Sequence, residues 1–311
     1  MIKKGLYGCA VIGALVALVA CEPDPLNGSA PPVALGPGAS GADERVSVYT
    51  VNYPLQYFAQ RIGGELVDVS FPAPQGVDPA DWIPDIDTVA DFQQADVILL
   101  NGAGYARWLR RMSLPAAPQV DTSAAFAERL LDVEQSVVHT HGPKGEHAHD
   151  NLAFTVWLNP ELAKEQATAV RDALARKLPD SAETLDSNLA GLVSDLAALD
   201  LELREIFARL GDRPLAYSHP VYQYLDQRYA LDGKSVHWEP DVEPTEDELN
   251  ALAELAGGVM LWEAAPLPAT RARLQAMGIT SVVFDPCAGT PETGDYLAVM
   301  SRNISALAAA L

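Results

Sequence analysis

The chain has 311 residues, of which 49% are hydrophobic, and a formal net charge of −21 at pH 7. This length is sufficient for two domains with buried cores. The excess of acidic over basic side chains disfavours nucleic acid as a partner, because phosphates repel an acidic surface, and it suits a protein that attracts cations.

The N-terminus has the layout of a secretory signal. Lys3 and Lys4 precede an apolar run over residues 5–20, which is short for a membrane span of about 20 residues. The run ends in Leu-Val-Ala-Cys, which is similar to a bacterial lipobox, in which the cysteine becomes the lipid-modified first residue. We therefore predict a signal peptide over residues 1–20 and lipidation of Cys21. An uncleaved membrane anchor is the alternative.

A segment rich in Pro, Gly, Ser and Ala follows the signal. This composition cannot bury a core, so residues 21–45 are predicted to be the lipidated cysteine and a flexible tether. We expect a globular domain that lies outside the cytoplasm, faces the periplasm and is anchored to the cell envelope by its N-terminal lipid. With Cys21 alkylated, Cys287 has no partner, and no intramolecular disulfide is expected.

Short apolar strands alternate with helices in both halves of the remaining chain. The first half (residues 46–178) has predicted strands at residues 46–51, 66–71 and 96–102. The second half (residues 212–311) has predicted strands at residues 214–219, 235–240, 258–264 and 281–286. This alternation predicts an α/β fold in which each half is a small lobe with a parallel sheet.

A leucine-rich stripe lies between the two halves. The apolar residues alternate spacings of four and three, at Leu185, Leu189, Leu192, Leu196, Leu199, Leu203, Ile206 and Leu210. This pattern predicts one long helix within residues 179–211. A coiled-coil dimer would use the same stripe, but we expect a monomer in which the helix is a rigid connector that packs along both lobes.

Four candidate metal ligands lie near the ends of predicted strands. In parallel α/β sheets, ligands bind beyond the carboxyl ends of the strands. His219 and Asp285 follow strands of the second half, and Glu263 and Asp81 are further carboxylates near strand ends. A histidine and a carboxylate that converge supply half of a tetrahedral zinc or manganese site. Alternatively, His219 and Asp285 only cap the turns that follow them.

The segment HTHGPKGEHAHD, residues 139–150, holds two His-x-His pairs separated by a glycine- and proline-containing turn. The four histidines are His139, His141, His147 and His149. Neutral imidazoles bind zinc and copper well, so the loop is predicted to bind a metal. A solvated polar loop is the alternative.

The sequence offers little support for an enzyme. It has no Gly-x-Ser-x-Gly elbow, no His-Glu-x-x-His and no phosphate-binding glycine loop. Cys287, flanked by small and apolar residues, is interpreted as a packing residue rather than a nucleophile. We therefore predict a binding protein without catalytic activity.

Four segments together resemble the zinc/manganese-type substrate-binding lipoproteins of bacterial ABC importers. They are FPAPQGVDPADWIPDIDTVADFQQADVILLNGAGYARWL, FTVWLNPELAKEQA, YSHPVYQYLDQRYAL and VVFDPCAG. A histidine-rich insert directly before the second segment is typical of the zinc-transporting members. The resemblance covers residues from about 46 to 311, and it implies two α/β lobes joined by one long helix, with a metal bound in the cleft between them.

The resemblance carries the family's cleft ligands over unevenly. The third ligand matches His219 and the fourth matches Asp285, but Ala80 and Thr155 replace the family's first and second histidines. Methyl and hydroxyl groups cannot replace imidazoles, and a four-coordinate zinc site usually has at least three protein donors. The cleft would then be completed by Glu263, Asp81, water or loop histidines.

Two functions are consistent with these features. The first is a receptor that delivers zinc, or Mn²⁺ or Cu²⁺, to an ABC permease through a degenerate cleft site. The second is a diverged receptor of the same fold that binds a non-metal ligand or a metal chelate, with Trp82, Trp157 and Thr155 lining the pocket.

Overall fold

The computed structural model describes residues 45–133 and 152–311. Within these residues the strands are β1 (Val46–Thr50), β2 (Val67–Ser70), β3 (Val97–Leu100), β4 (Gln119–Asp121), β5 (Leu215–Tyr217), β6 (Gly233–Ser235), β7 (Val259–Trp262) and β8 (Thr280–Val283). They form two four-stranded sheets with the orders β2-β1-β3-β4 and β6-β5-β7-β8, and neighbouring strands in both sheets are parallel. The predicted fold class, two parallel-sheet α/β lobes, is confirmed.

Helices connect the strands and cover both sheets. Their bounds are α1 (Tyr53–Gly63), α2 (Ile86–Gln94), α3 (Pro160–Lys177), α4 (Ala182–Leu210), α5 (Gln223–Tyr229), α6 (Glu246–Ala251), α7 (Pro268–Ala276) and α8 (Tyr296–Ala310). Side-chain oxygens of Asn52, Asp85, Asn159 and Asp295 accept backbone N–H bonds at the starts of α1, α2, α3 and α8. In the described part of the chain, the helices lack the combination of length and apolar character that a membrane crossing requires.

The long helix α4 carries the predicted apolar stripe. It has 29 residues, which corresponds to about 44 Å at 1.5 Å per residue. Seven of the eight stripe positions are buried, and Leu189 is partly buried. The helix packs against α1 and α3 of the first lobe and against the C-terminal helix α8. One hydrophobic core therefore continues through both lobes along this helix.

The second lobe has an additional small core on the other face of its sheet. It consists of Ala216, Trp238, Leu249, Leu252, Leu255, Met260, Trp262, Leu274 and Ile279. Strand β7 is buried along its whole length, as expected for a central strand with helices or loops on both faces.

One strand of the second lobe, β6, lies earlier in the chain than the segment predicted for it. Residues 235–240 were expected to be a strand, but β6 ends at Ser235, because its partner β5 ends opposite it at Tyr217. At the other end, Gly233 allows β6 to approach β5 closely, since a Cβ at this position would lie 2.2 Å from the Tyr217 ring. The residues after Ser235, including His237 and Glu239, therefore belong to the loop beyond the sheet.

Candidate metal centre

Three side chains meet at the carboxyl ends of neighbouring strands in the second lobe. His219 lies two residues after β5, Glu263 directly follows β7, and Glu239 lies in the loop after β6. The sheet order β6-β5-β7 places the histidine between the two glutamates. This edge of a parallel α/β sheet is where ligands are expected.

The imidazole of His219 lies between two carboxylates. Its Nδ1 is 3.0 Å from Oε1 of Glu263, and its Nε2 is 3.4 Å from Oε1 of Glu239. Each of the three residues offers one donor atom, and these atoms all lie within 4.8 Å of one another. The side chains of His219, Glu263 and Glu239 are 17%, 31% and 64% exposed, so the group opens to solvent on the Glu239 side.

The charge on His219 depends on its two neighbours. Burial lowers its pKa, but the adjacent carboxylates of Glu263 and Glu239 outweigh burial and raise the pKa above its usual value. The contact of Nδ1 with Glu263 has ion-pair distance but not hydrogen-bond geometry, and this buried nitrogen has no hydrogen-bond partner among the described residues.

Backbone hydrogen bonds hold the three loops together. The N–H of Ser218 donates to the carbonyl of Leu261, and the N–H of Trp238 donates to the carbonyl of Ser218, both at 2.9 Å. The N–H of Leu267 donates to the carbonyl of Pro240 at 2.9 Å. These bonds cross-link the three loops close to His219, Glu239 and Glu263, and this restricts the backbone from which the three side chains extend.

Asp285, the predicted fourth ligand, is part of the turn after β8. Its Oδ1 accepts the N–H of Cys287 at 2.7 Å, and its backbone exchanges two hydrogen bonds with the Asn303 side chain. Burial raises the pKa of the Asp285 carboxyl, and the charge of Glu263 adds to this shift. Asp285 therefore lies within the field of Glu263, but outside the three-residue group.

The predicted first-lobe residues have other partners. Ala80 is 1% exposed, and its N–H donates to Oδ1 of Asp78 at 2.9 Å. Asp81 forms an ion pair with Arg107. Asp78 is exposed as a residue, but its carboxyl is surrounded by protein atoms, and this burial together with the charges of Asp81 and Glu263 raises its pKa. Asp78 is therefore the first-lobe carboxylate that senses the charge of Glu263.

Thr155 links the two lobes directly. Its side chain is buried, and Oγ1 donates to the carbonyl of Val221 at 2.5 Å. Next to it, Nε1 of Trp157 donates to the carbonyl of Pro286 at 2.7 Å. The hypothesis of a non-metal ligand requires Trp157 to line an open pocket. Trp157 is instead fully buried in the core between the lobes.

The remaining predicted site residues lie outside the described residues. They are the loop histidines His139, His141, His147 and His149, and the lipidation site Cys21. Glu239, in contrast, was not among the predicted ligands. It belongs to the segment 235–240, which had been assigned to a strand, and only the end of β6 at Ser235 shows that this glutamate lies beyond the sheet edge.

Comparison with known proteins points to one family for nearly all described residues. The family model for the periplasmic zinc-uptake complex component A, ZnuA, matches residues 48–310. The zinc-binding lipoprotein AdcA of Streptococcus pneumoniae is 26% identical over 281 residues, 86% of this chain and 56% of the relative. The high-affinity zinc uptake system protein ZnuA of Bacillus subtilis is 26% identical over 264 residues, 82% of this chain and 78% of the relative. The chain spans about half the length of the AdcA relatives it matches.

Solved structures share the fold. The metal-dependent lipoprotein YcdH from Bacillus subtilis superposes with a TM-score of 0.72 at 23% identity, over 85% of this chain and 98% of that chain. Zn(II)-bound AdcA from Streptococcus pneumoniae gives a TM-score of 0.69 at 23% identity, over 85% and 57% of the two chains. At this level of identity the likeness establishes the arrangement of two lobes and a connecting helix.

Proposed function

Because the chain belongs to the family of the periplasmic zinc-uptake complex component A, we propose that it is an extracytoplasmic receptor for zinc or a related divalent ion. In this proposal it delivers the ion to an ABC permease. The observation that carries the proposal is the position of His219, whose imidazole lies between the carboxylates of Glu239 and Glu263 at the ligand-binding edge of the sheet.

The spacing of these groups suits a metal ion. Zinc lies about 2.0–2.2 Å from nitrogen and oxygen ligands, so two donors of a tetrahedral ion are about 3.3 Å apart. One ion binds one imidazole nitrogen, and the 3.0 Å between Nδ1 of His219 and Glu263 matches this spacing. Glu239 lies 3.4 Å from the other ring nitrogen, Nε2. Two carboxylates also balance the charge of a divalent cation, whereas in the absence of an ion they repel each other across the imidazole.

Delivery, rather than catalysis, accounts for the chemical groups at the site. The thiol of Cys287 is buried, and burial raises its pKa, which is the opposite of what a thiolate nucleophile requires. The relatives are named as zinc-binding and zinc-uptake proteins. We propose that this chain binds and releases its ion without a chemical reaction.

Two further parts of the proposal concern residues outside the described ranges. Cys21 would carry the lipid that holds the receptor on the cell envelope, and relatives that are named lipoproteins support this. The histidines of residues 139–149 would contribute to ion binding, because Ala80 and Thr155 lack the imidazoles of the family pattern.

A calorimetric titration tests the proposed function. The tag-free, chelator-treated protein is titrated with Zn²⁺, Mn²⁺ and Cu²⁺, and the number of sites and their affinities are fitted. We expect at least one zinc site, and we expect the His219→Ala variant to lose one site or bind zinc at least tenfold more weakly. A parent protein that binds none of the three ions more tightly than about 1 mM would contradict the proposal.

A further inference from the structure

We infer that the ion is held at the second lobe, with His219, Glu239 and Glu263 as its three ligands among the described residues. This inference deepens the proposed function and rests on it. It departs from the arrangement that the resemblance implies, in which donors from both lobes converge on one ion and Asp285 is the fourth ligand. The new element is Glu239, which follows β6 rather than β8.

The three residues form a preorganised group on one rigid support. They follow three adjacent strands of one sheet, and their loops are joined by the hydrogen bonds of Ser218, Trp238 and Leu267. Because the loops are already cross-linked, their backbone loses little conformational entropy when the ion binds. The site therefore does not require a movement of the first lobe.

The donor atoms are close enough to share an ion. They all lie within 4.8 Å of one another, and separations of about 3.3 Å are expected around tetrahedral zinc. Glu239 is 64% exposed, so its carboxylate can rotate toward the ion without disturbing packed side chains. Nδ1 of His219, which is buried and has no hydrogen-bond partner in the described part of the chain, already faces Glu263. A water molecule would complete a four-coordinate ion.

The other candidate donors are engaged elsewhere. Ala80 has no donor atom in its side chain, and the hydroxyl of Thr155 donates to a second-lobe carbonyl. Asp81 is paired with Arg107, and Asp285 accepts the backbone N–H at the end of its own turn. These contacts leave Ala80 and Thr155 without a free side-chain donor, and they occupy one carboxylate oxygen each of Asp81 and Asp285.

The donor set has consequences for ion preference. One imidazole and two carboxylates make a harder set of ligands than several imidazoles, and hard oxygen donors favour Mn²⁺ relative to Zn²⁺ and Cu²⁺, which imidazole suits. We therefore expect the ratio of zinc to manganese affinity to rise when one carboxylate ligand is removed.

The test compares two glutamates on the same loop. Zinc affinity is measured by competition with a chromophoric chelator for the full chain and for its Glu239→Gln and Glu243→Gln variants. Glu243 is exposed and carries the same charge, so it controls for the general effect of a lost negative charge. We expect Glu239→Gln to weaken zinc binding at the tightest site more than tenfold and Glu243→Gln to change it less than twofold.

Crystals of the zinc-loaded parent provide an independent measurement. Anomalous scattering at the zinc edge should give a peak within bonding distance of His219, Glu239 and Glu263. A peak between His219 and Asp285, or loss of binding in Asp285→Asn with unchanged binding in Glu239→Gln, would overturn the inference and leave the proposed function intact. A parent that binds no divalent ion would refute the proposed function itself.

Discussion

The hydroxyl of Thr155 donates a hydrogen bond of 2.5 Å to the carbonyl of Val221, and this bond joins the first lobe to the second. In the family pattern the position of Thr155 is a histidine ligand. The substitution therefore replaces an interlobe contact that would pass through a metal ion with one that needs no ion. Because this bond needs no ion, we expect it to hold the two lobes together in the metal-free protein as well.

The Thr155→Val variant tests this contact. Valine has nearly the same shape, but it leaves the Val221 carbonyl without its side-chain donor, so we expect the free energy of unfolding to fall by about 1–3 kcal/mol. Urea denaturation gives the value. Thr168→Val is the matched control, because its hydroxyl bonds to the Lys164 carbonyl on an exposed helix surface. Equal effects of the two substitutions would show that the interlobe bond contributes nothing specific.

An ion-pair cluster around Asp200 should make the free energy of unfolding fall at acid pH. Asp200 on α4 accepts hydrogen bonds from Arg228, Tyr229 and Arg204. Burial raises its pKa, but these donors outweigh burial and lower the pKa to about 2. Because the folded pKa lies below the unfolded value, the stabilisation is present above pH 3.8 and is lost as the pH falls toward 2.

We expect Asp200→Asn to lower the free energy of unfolding by about 2 kcal/mol at pH 7, because a partly buried arginine loses its counter-charge. The difference from the parent should shrink as the pH falls from 4 to 2. Asp172→Asn serves as the control, since Asp172 is half exposed and its ion pair with Arg171 contributes little. A difference between Asp200→Asn and the parent that stays constant down to pH 2 would show that the charge of Asp200 is not the cause.

The histidine loop gives a third prediction. Replacing His139, His141, His147 and His149 together by serine should reduce the number of bound zinc ions or weaken zinc binding more than tenfold, on the order of 1.4 kcal/mol. The reason is the loss of four imidazoles from a chain in which Ala80 and Thr155 already replace two histidines of the family pattern. Calorimetric titration measures both quantities. Unchanged stoichiometry and affinity would mean that the loop has no part in zinc binding.

Lipidation can be tested separately from metal binding. The Cys21→Ser variant should not incorporate radiolabelled fatty acid and should remain unprocessed or soluble, because serine offers no thiol for the lipid. Zinc binding by the variant serves as the control for folding. Recovery of the variant as a processed, membrane-bound lipoprotein would contradict the lipobox interpretation.

The long helix and the two sheets were predictable from sequence, whereas part of the site was not. The spacing of the apolar residues from Leu185 to Leu210 predicts a helix with one buried face. That prediction needs only the local sequence. In contrast, Glu239 becomes a candidate ligand only because β6 ends at Ser235, opposite the end of β5. Strand ends are set by the pairing partner, so the sequence of residues 235–240 alone does not contain this information.

Other differences have similar causes. Strand β4, Gln119–Asp121, was not predicted, because Val120 is its one apolar residue and none of the three residues is fully buried. The segment around Trp108 is similarly short, since its helical part is a single 3-10 turn, Arg107–Arg110. The pairing of Asp81 with Arg107 is likewise a tertiary contact, and it engages a carboxylate that the sequence offers as a ligand.

The shared order of the two sheets makes Asn52 and His219 topological counterparts. Each lies two residues beyond the corresponding strand, β1 or β5. Asn52 is fully buried, accepts the Leu55 N–H at the start of α1 and donates to Asn101. The same position in the two sheets thus caps a helix in the first lobe and places an imidazole between two carboxylates in the second. Exchanging these two side chains would place the imidazole where Leu55 and Asn101 are positioned to bond an amide. The two lobes are therefore not interchangeable, although their sheets have the same strand order.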